Sequence, residues 1–573
     1  RINNNITHIM CGIFALLNVN NISPDEEKII KTQFIKGKKR GPEYSKLEYK
    51  YYKTVLGFHR LAINGLNSES NQPIVYNNVV LICNGEIYNY KQLYKSMNVT
   101  PTTDSDCEVI IHLFIKYGIE QTLNMLDGVY SFLLFDNRPN VDTVHTVIIA
   151  RDPLGIRPLY QMYNNNNNIA FKKNLCCFAS ELKCLQYFYN SDVYNYHIKQ
   201  FEPGTYSIFQ RNVVETDWKP IIENKKHFIL PHHSPCLNEE ITEINNHFFK
   251  NIYHYLWQAV VKRCDTTERP VACLLSGGLD SSLIAALTSK FFKNKGKQIE
   301  TYSIGLQNSD DIKYAKIVAD YIGSKHTEII VTEDEMFHII PEVINAIESY
   351  DTTTVRASIG NYLLGNYISK NSDAKVIFNG DGADELFGGY LYMNKCPDNI
   401  EFDKETKRLL KDIHLFDVLR SDKTISSNGL EPRTPFLDKN FVNYVLSIPS
   451  HFRNHNNFKQ IEKYLLRQSF HSSTKECQQI LPDEILFRKK EAFSDGVSSH
   501  GRSLYKILQE KIAAKINTQN NIVEANIDTE KMYYKQIFDS LFPNCQHILP
   551  YFWMPKYTDS NDPSARTLSF YSD

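Results

Sequence analysis

The sequence predicts two domains in series: an α+β, sheet-rich domain followed by an α/β domain on a doubly wound parallel sheet. Three observations predict this. The chain has 573 residues with 42% hydrophobic content, more than one ordinary core accommodates. Its first third runs through short apolar stretches broken by Gly, Asn and Pro, the pattern of strands joined by tight turns. After about residue 239, apolar strands alternate with amphipathic helical stretches, which implies parallel strands joined by helical crossovers.

In order along the chain, "KTVLGFHRLAI", "NVVLICNGEIY", "GVYSFLLFD", "HTVIIARD" and "LCCFAS" read as strands, with "DCEVIIHLFIKYG" as a helix among them. This domain is expected to span 11–210, ending at "FEPGTYSIF". Polar residues with Pro220, Pro231 and Pro235 mark 211–238 as a linker. In the second domain, 239–573, "FFKNIYHYLWQAVVKRC" reads as helix, "PVACLL" as a buried strand and "SSLIAALTSKFF" as helix. Strand "IETYSIGL", helix "DIKYAKIVADYIG", strand "HTEIIV" and strand "KVIFNGDG" follow, and from about Glu401 the chain reads as mostly helical.

A net charge of -1 gives no electrostatic footprint for nucleic acid or an anionic membrane. No run approaches the roughly 18 apolar residues that span a bilayer. Twelve cysteines scattered over this length do not form a disulfide framework and fit a reducing, cytoplasmic compartment. The basic run "IKGKKRG" (Ile35 to Gly41) reads as a solvated loop. His232, His233 and Cys236 read as linker, lacking a second pair of metal ligands, and the tract Asn164 to Asn168 as a surface loop.

"LLSGGLDSS" (Leu274 to Ser282) lies between a buried strand and a helix. Ser276, Gly277 and Gly278 let backbone amides approach an anion, and the next helix adds its N-terminal donors. Asp280 is suited to Mg²⁺, which accompanies polyphosphate. "NGDGADELFGGY" (Asn379 to Tyr390) follows a second strand and carries Asp381, Asp384 and Glu385, which repel one another unless a cation balances them. Asp280 and Asp384 are the expected Mg²⁺ pair. "RKKEAFSDG" offers Lys490 as a charge for leaving phosphates.

A second set lies nearer the start: "CGIF" at Cys11, "FHRLAI" at Arg60, "NGEIYN" at Asn84 and "SDCEVI" at Asp106. A cysteine whose α-amine is free carries its own general base. The Asn84 side chain and Gly85 amide suit an oxyanion. Arg60 suits a substrate carboxylate, and Asp106 its ammonium.

The first loop resembles the pyrophosphate loop of ATP-pyrophosphatases, and the second set resembles class-II glutamine amidotransferases, which have an N-terminal-nucleophile (αββα) fold. Together they resemble glutamine-dependent asparagine synthetases, as do "ESYDTTTVRAS", "EPRTPFLD", "RKKEAFSDGV" and "YFWMPKYTDSNDPSARTL". The resemblance implies that Met10 initiates the chain and that its removal exposes Cys11, leaving residues 1–10 as upstream sequence. It implies the substrates L-glutamine, L-aspartate and ATP, with Mg²⁺, no nucleic acid or membrane partner, a homodimer and an internal ammonia tunnel. By position it assigns Cys11, Asn84, Gly85, Asp381 and Lys490 to catalysis, and Arg60, Asn84, Gly85, Glu86 and Asp106 to glutamine. Leu274, Ser276, Gly277, Gly278, Asp280, Ser281, Ile304, Gly380, Asp381 and Lys490 fall to ATP, and Thr353, Thr354, Arg356 and Glu385 to aspartate.

Glu43 after Gly-Pro, Asn379, and Asp381 in place of the usual Glu depart from the family pattern. Three alternatives stay open at this point: a β-lactam synthetase-type enzyme, a binding-only paralogue, and an ammonia-only synthetase in which residues 1–10 block Cys11.

Overall fold

In a computed structural model, the residues described are 11–19, 22–138, 144–164, 175–189, 196–212, 217–231, 246–471, 479–498, 502–517 and 523–571. The upstream segment 1–10, the His232, His233 and Cys236 cluster, and most of the asparagine tract lie outside them.

Among the described residues, twelve strands build the first region: β1 (Gly12–Leu17), β2 (Tyr44–Tyr51), β3 (Thr54–Arg60), β4 (Ile74–Tyr76), β5 (Val79–Ile87), β6 (Gly128–Asp136), β7 (His145–Arg151), β8 (Tyr160–Asn164), β9 (Cys176–Ala179), β10 (Tyr196–Gln200), β11 (Thr205–Arg211) and β12 (Lys219–Lys226). They form two six-stranded sheets, β10-β8-β9-β1-β3-β2 and β12-β11-β7-β6-β5-β4. Alternation along β1 explains how the sheets stack. Ile13, Ala15 and Leu17 face Ile82, Leu133 and Ile149 of the other sheet. Phe14 and Leu16 face Ile30 and Phe34 of helix Pro24–Ile35. On the far side, Leu81, Phe132 and Leu134 pack on Ile110 and Leu113 of helix Val109–Met125. The layers therefore run helix, sheet, sheet, helix, and the central strands are buried on both faces, which is why they read as continuous apolar runs.

Two expectations are corrected here. The stretch read as linker carries β12, which pairs antiparallel with β11 at the sheet edge. In "IKGKKRG", Lys36, Lys38 and Lys39 are exposed, but Arg40 is only 1% exposed, because Glu181 and Asp422 neutralise it inside the protein.

The second region is built on β13 (Val271–Leu274), β14 (Glu300–Gly305), β15 (Lys325–Ile330), β16 (Val376–Phe378) and β17 (Glu431–Arg433), ordered β15-β14-β13-β16-β17 and parallel throughout. β13 lies between β14 and β16, so the strand order reverses there and a crevice opens beyond the strand ends. β17 went unread in the sequence, since Pro432 and only three residues conceal it. Among the described residues, no helix is long and apolar enough to cross a membrane.

Candidate active sites

Cys11 stands just ahead of β1. Because Gly12 pairs with His59 of β3, Cys11 lies beside the end of β3, where Arg60 and Leu61 follow. The Cys11 thiol donates to Leu61 O at 3.3 Å, and Leu61 N approaches Sγ at 3.4 Å. Burial pushes the thiol up to about 12, although the Leu61 hydrogen bond and Arg60 oppose the shift. At neutral pH the sulfur is therefore protonated and needs a base to become a nucleophile.

The facing sheet brings Asn84, Gly85 and Glu86 from the end of β5. Ser180 links the two sheets here, since its hydroxyl accepts from Ile13 N at 3.1 Å and from Asn84 Nδ2 at 3.4 Å. Asn84 Oδ1 is buried with no hydrogen-bond partner among the described residues. Asp106 opens a short 3₁₀ turn capped by Ser105, and its carboxylate accepts from Ile87 N at 2.7 Å, tying it to the same strand end. Burial raises Asp106 to about 6. Glu86 is also raised well above the usual carboxylate range, by burial and by Asp106 and Glu431. It accepts from Asn64 Nδ2 at 2.7 Å and pairs with Arg433 of β17 at 3.4 Å, across to the second region.

Arg60 donates to Asn67 O at 2.8 Å, to Asn71 Oδ1 at 2.7 Å and to Gly65 O, so it organises the loop that closes the site. The fold thus gathers Cys11, Arg60, Asn84, Gly85, Glu86 and Asp106. Sequence reasoning missed Ser180 and Arg40, whose Nε donates to the Cys11 carbonyl at 2.9 Å. The Gly-Pro that follows Arg40 was the available signal.

In the second region, the β13 and β16 loops meet at the crevice. A Cβ on Gly380 would lie 2.7 Å from the Asp280 carbonyl carbon, so glycine lets the two loops touch. Gly277 has φ +71°, and a Cβ there would strike Tyr314, so glycine is required on both counts. Ser276 and Ser281 hold the first loop through hydroxyls 3.0 Å apart.

A cleft of about 180 Å³ opens over these loops. Leu274, Ser276, Gly278, Asp280, Ser281, Ile304, Thr353, Thr354, Gly380, Asp381, Asp384, Glu385 and Lys490 all line it. Gly277 shapes the loop from behind. Arg356 does not reach the cleft, because its guanidinium is spent on Glu530 at 2.6 Å and Asp562 at 2.7 Å. Thr354 is held by Asp351, which accepts from its N at 2.8 Å and its hydroxyl at 2.7 Å. Thr353 Oγ1 is buried with no hydrogen-bond partner among the described residues.

The cleft's charges form one set. Lys490 Nζ lies 2.5 Å from Asp384 and 3.6 Å from Asp280. Burial opposes the charge on Asp384, but Lys463 and then Lys490 outweigh it and bring the carboxyl down to about 2. Burial likewise opposes the charge on Lys490, and Asp384 and Asp280 outweigh it, raising the ammonium. Asp381 lies 3.1 Å from Arg420, which also holds Asp417 at 2.8 Å, while burial keeps the Asp381 carboxyl raised. Glu385, buried and beside Asp417, is raised further and accepts from the Tyr390 hydroxyl.

Lys463, Arg420, Asp417 and Arg488 line the cleft and were missed from sequence. Arg420 sits in helix Asp417–Ser426 and Lys463 in the turn just before helix Tyr464–Gln468, with no motif to mark either. Arg488 belongs to the stretch chosen for Lys490; it stacks 4.0 Å over Tyr314 and pairs with Asp311 at 3.2 Å.

Comparison with known proteins matches both regions. The "Asparagine synthase" family matches residues 251–402 and 395–562, and the "Glutamine amidotransferase domain" family matches 10–219. Chicken (Gallus gallus) asparagine synthetase [glutamine-hydrolyzing] is 38% identical over 590 residues, covering 98% of this chain and 99% of that protein. The cattle (Bos taurus) and human (Homo sapiens) proteins of the same name are each 38% identical, over 587 and 588 residues with the same coverage. With a glutamine amidotransferase region and a synthase region joined as in these full-length relatives, the chain belongs to the glutamine-hydrolysing asparagine synthetase family.

Proposed function

We propose that the chain makes asparagine: L-aspartate, L-glutamine, ATP and water yield L-asparagine, L-glutamate, AMP and diphosphate. One observation carries this reading. The residues suited to opening an amide and those suited to activating a carboxylate are complete in one chain, and the Glu86–Arg433 contact joins their two regions.

In the first region, whose layering fits an N-terminal-nucleophile fold, Cys11 attacks the glutamine amide. Its buried thiol needs a base, and the α-amine of Cys11 supplies one once residues 1–10 are removed. Arg60 receives the substrate carboxylate and Asp106, with Glu86, its ammonium. Asn84 Nδ2 and the Gly85 amide stabilise the oxyanion. The α-amine returns its proton to the departing ammonia, leaving a glutamyl thioester that water hydrolyses.

In the second region, the loop Ser276–Ser281, with Leu274, Ile304 and Gly380, receives ATP, and Thr353, Thr354 and Glu385 receive aspartate. Arg356 acts from behind by fixing the helix that carries both threonines. The aspartate β-carboxylate attacks the α-phosphate, giving β-aspartyl-AMP, while Lys490 compensates the charge leaving with diphosphate. Ammonia, carried through the interior as neutral NH3, attacks the β-aspartyl carbonyl and passes its surplus proton to Asp381 as the bond to AMP breaks.

Asp280 and Asp384 fit Mg²⁺: Asp280 Oδ1 is buried with no hydrogen-bond partner among the described residues, and two carboxylates plus substrate phosphates are a usual magnesium set. When bound, the ion adds positive charge at the phosphates. The bounds 11–210, 211–238 and 239–573 serve as the working division, except that β12 moves from the linker to the first unit. A cytoplasmic location and a homodimer belong to the same proposal.

The test is asparagine formation from aspartate and ATP·Mg²⁺ by protein expressed from Met10, with glutamine or ammonium as nitrogen source. Asparagine from both, with AMP and diphosphate released, is the expected result. Asparagine from ammonium alone would sink the Cys11 assignment, and none from either would sink the synthetase reading.

A further inference from the structure

Four consecutive residues in helix Asp417–Ser426 face two directions at once. Arg420 and Ser421 point to the synthetase cleft. Arg420 holds Asp381 at 3.1 Å and Asp417 at 2.8 Å, and the Ser421 hydroxyl accepts from Asn379 Nδ2 at 2.5 Å. Asp422 and Lys423 point to the glutaminase region. Asp422 Oδ1 meets Arg40 at 2.8 Å and its Oδ2 meets Arg157 at 3.1 Å, while Lys423 pairs with Glu348 and lies 3.5 Å from Glu181. All four side chains are buried.

Arg40 completes the connection. The guanidinium that pairs with Asp422 also donates to the Cys11 carbonyl at 2.9 Å and to Ser426 Oγ at 2.9 Å. Charged contacts therefore run from the Cys11 main chain through Arg40 to Asp422, and separately from Arg420 to Asp381, and one turn of helix joins the two sets. The Arg40–Asp422 and Arg157–Asp422 pairs are shut off from water, so a shift there is felt rather than screened, while the Arg420 pairs line the cleft and meet whatever enters it.

We propose that the Arg420–Lys423 turn couples the two sites, with Asp422 as a positioning residue that sets the Cys11 backbone, through Arg40, according to the state of the synthetase cleft. Filling the cleft loads Asp381 and Arg420, moves the turn, and aligns Cys11 for attack. Glutamine is thereby opened when an acceptor for its ammonia is ready. The inference rests on the function proposed above and names how its two halves communicate.

The test measures glutamate and asparagine together in the full chain at saturating glutamine, with and without aspartate and ATP, beside synthesis driven by ammonium. Asp422→Asn keeps the shape and removes the charge, and Ser426→Ala removes one Arg40 hydrogen bond without burying an unpaired ion. In the parent, aspartate and ATP stimulate glutamate release and the two products form in near-equal amounts. In D422N, ammonium-driven synthesis is expected to stay within about twofold of the parent. Its glutamate release no longer responds to aspartate and ATP, and the glutamate-to-asparagine ratio rises about fivefold or more. S426A moves the ratio the same way by less.

A D422N protein with the parent's stimulation and ratio overturns the inference. If D422N loses ammonium-driven synthesis, and so its fold, an unmoved ratio in S426A overturns it instead. A parent inactive with both nitrogen sources overturns the proposed function, and the coupling with it; an active parent with unmoved variants overturns the coupling alone.

Discussion

The carboxylates of Asp280 and Asp384 share one ammonium: Lys463 Nζ lies 2.5 Å from Asp280 Oδ2 and 2.6 Å from Asp384 Oδ1. Lys463 is buried, and its backbone sits at φ +58°, a left-handed conformation that costs a residue with a side chain about 1–2 kcal/mol. Packing that holds such a backbone also holds the ammonium between the two loops. Lys463→Met should therefore slow diphosphate release about 10²–10³-fold while Cys11-dependent glutamate release persists. Diphosphate release within about twofold of the parent would assign the bridge to structure alone.

Cys11→Ala separates the two halves. Glutamine-driven synthesis should fall about 10³-fold or more, with ammonium-driven synthesis retained. Parallel loss of both activities would mean that Cys11 supports the fold rather than the chemistry.

Asp106 predicts a pH dependence with opposite signs for activity and stability. Burial lifts its folded value to about 6 from the usual 3.8. The folded chain therefore holds this proton more tightly than the unfolded chain. The stabilisation it contributes is present below the unfolded value and lost as pH rises through about 6, a change of about 3 kcal/mol. Binding the substrate ammonium needs the ionised form, so glutamine kcat/KM should fall as pH drops below about 6. Asp106→Asn should flatten both profiles in urea melts and glutaminase assays at pH 5 and 7.5. A persisting stability slope would place the proton elsewhere.

Arg356 distinguishes binding from support. Its removal in Arg356→Met leaves Glu530 and Asp562 buried without their cation, which should cost about 3–5 kcal/mol in denaturant unfolding. Unchanged stability with a raised KM for aspartate would instead restore the direct aspartate contact implied by the family resemblance.

Much of the fold was legible because the information was local. The continuous apolar runs that became β3, β5, β6 and β7, and the strand–loop–helix pattern around Ser276 and Gly380, are properties of contiguous residues. β17 and β12 were not legible. One is three residues long with a central proline, and the other carries Lys219, Pro220 and Lys226 and is recognisable only by its pairing with β11. Asp384 and Lys490 could be picked out as candidates because each sits in a stretch of recognisable composition, the first at the start of helix Ala383–Phe387. Lys463 could not, since a lysine beside a helix reads as solvated until its two carboxylates are seen.

By itself, the sequence determined that two families of motif share one chain: a glutamine amidotransferase set around Cys11, and a synthase set built on a glycine loop with acidic and basic companions. Those motifs depend on backbone conformation and residue type over a few positions, which the order of residues dictates directly. Only the tertiary structure decided how the charges are spent. It turned Arg356 toward Glu530 and Asp562, drew Arg40 from an exposed basic run onto Asp422, and put Lys463 between Asp280 and Asp384. A buried charge must find a partner, and here the partners lie 79 to 382 positions apart, where packing of whole elements and not local pattern determines who meets whom.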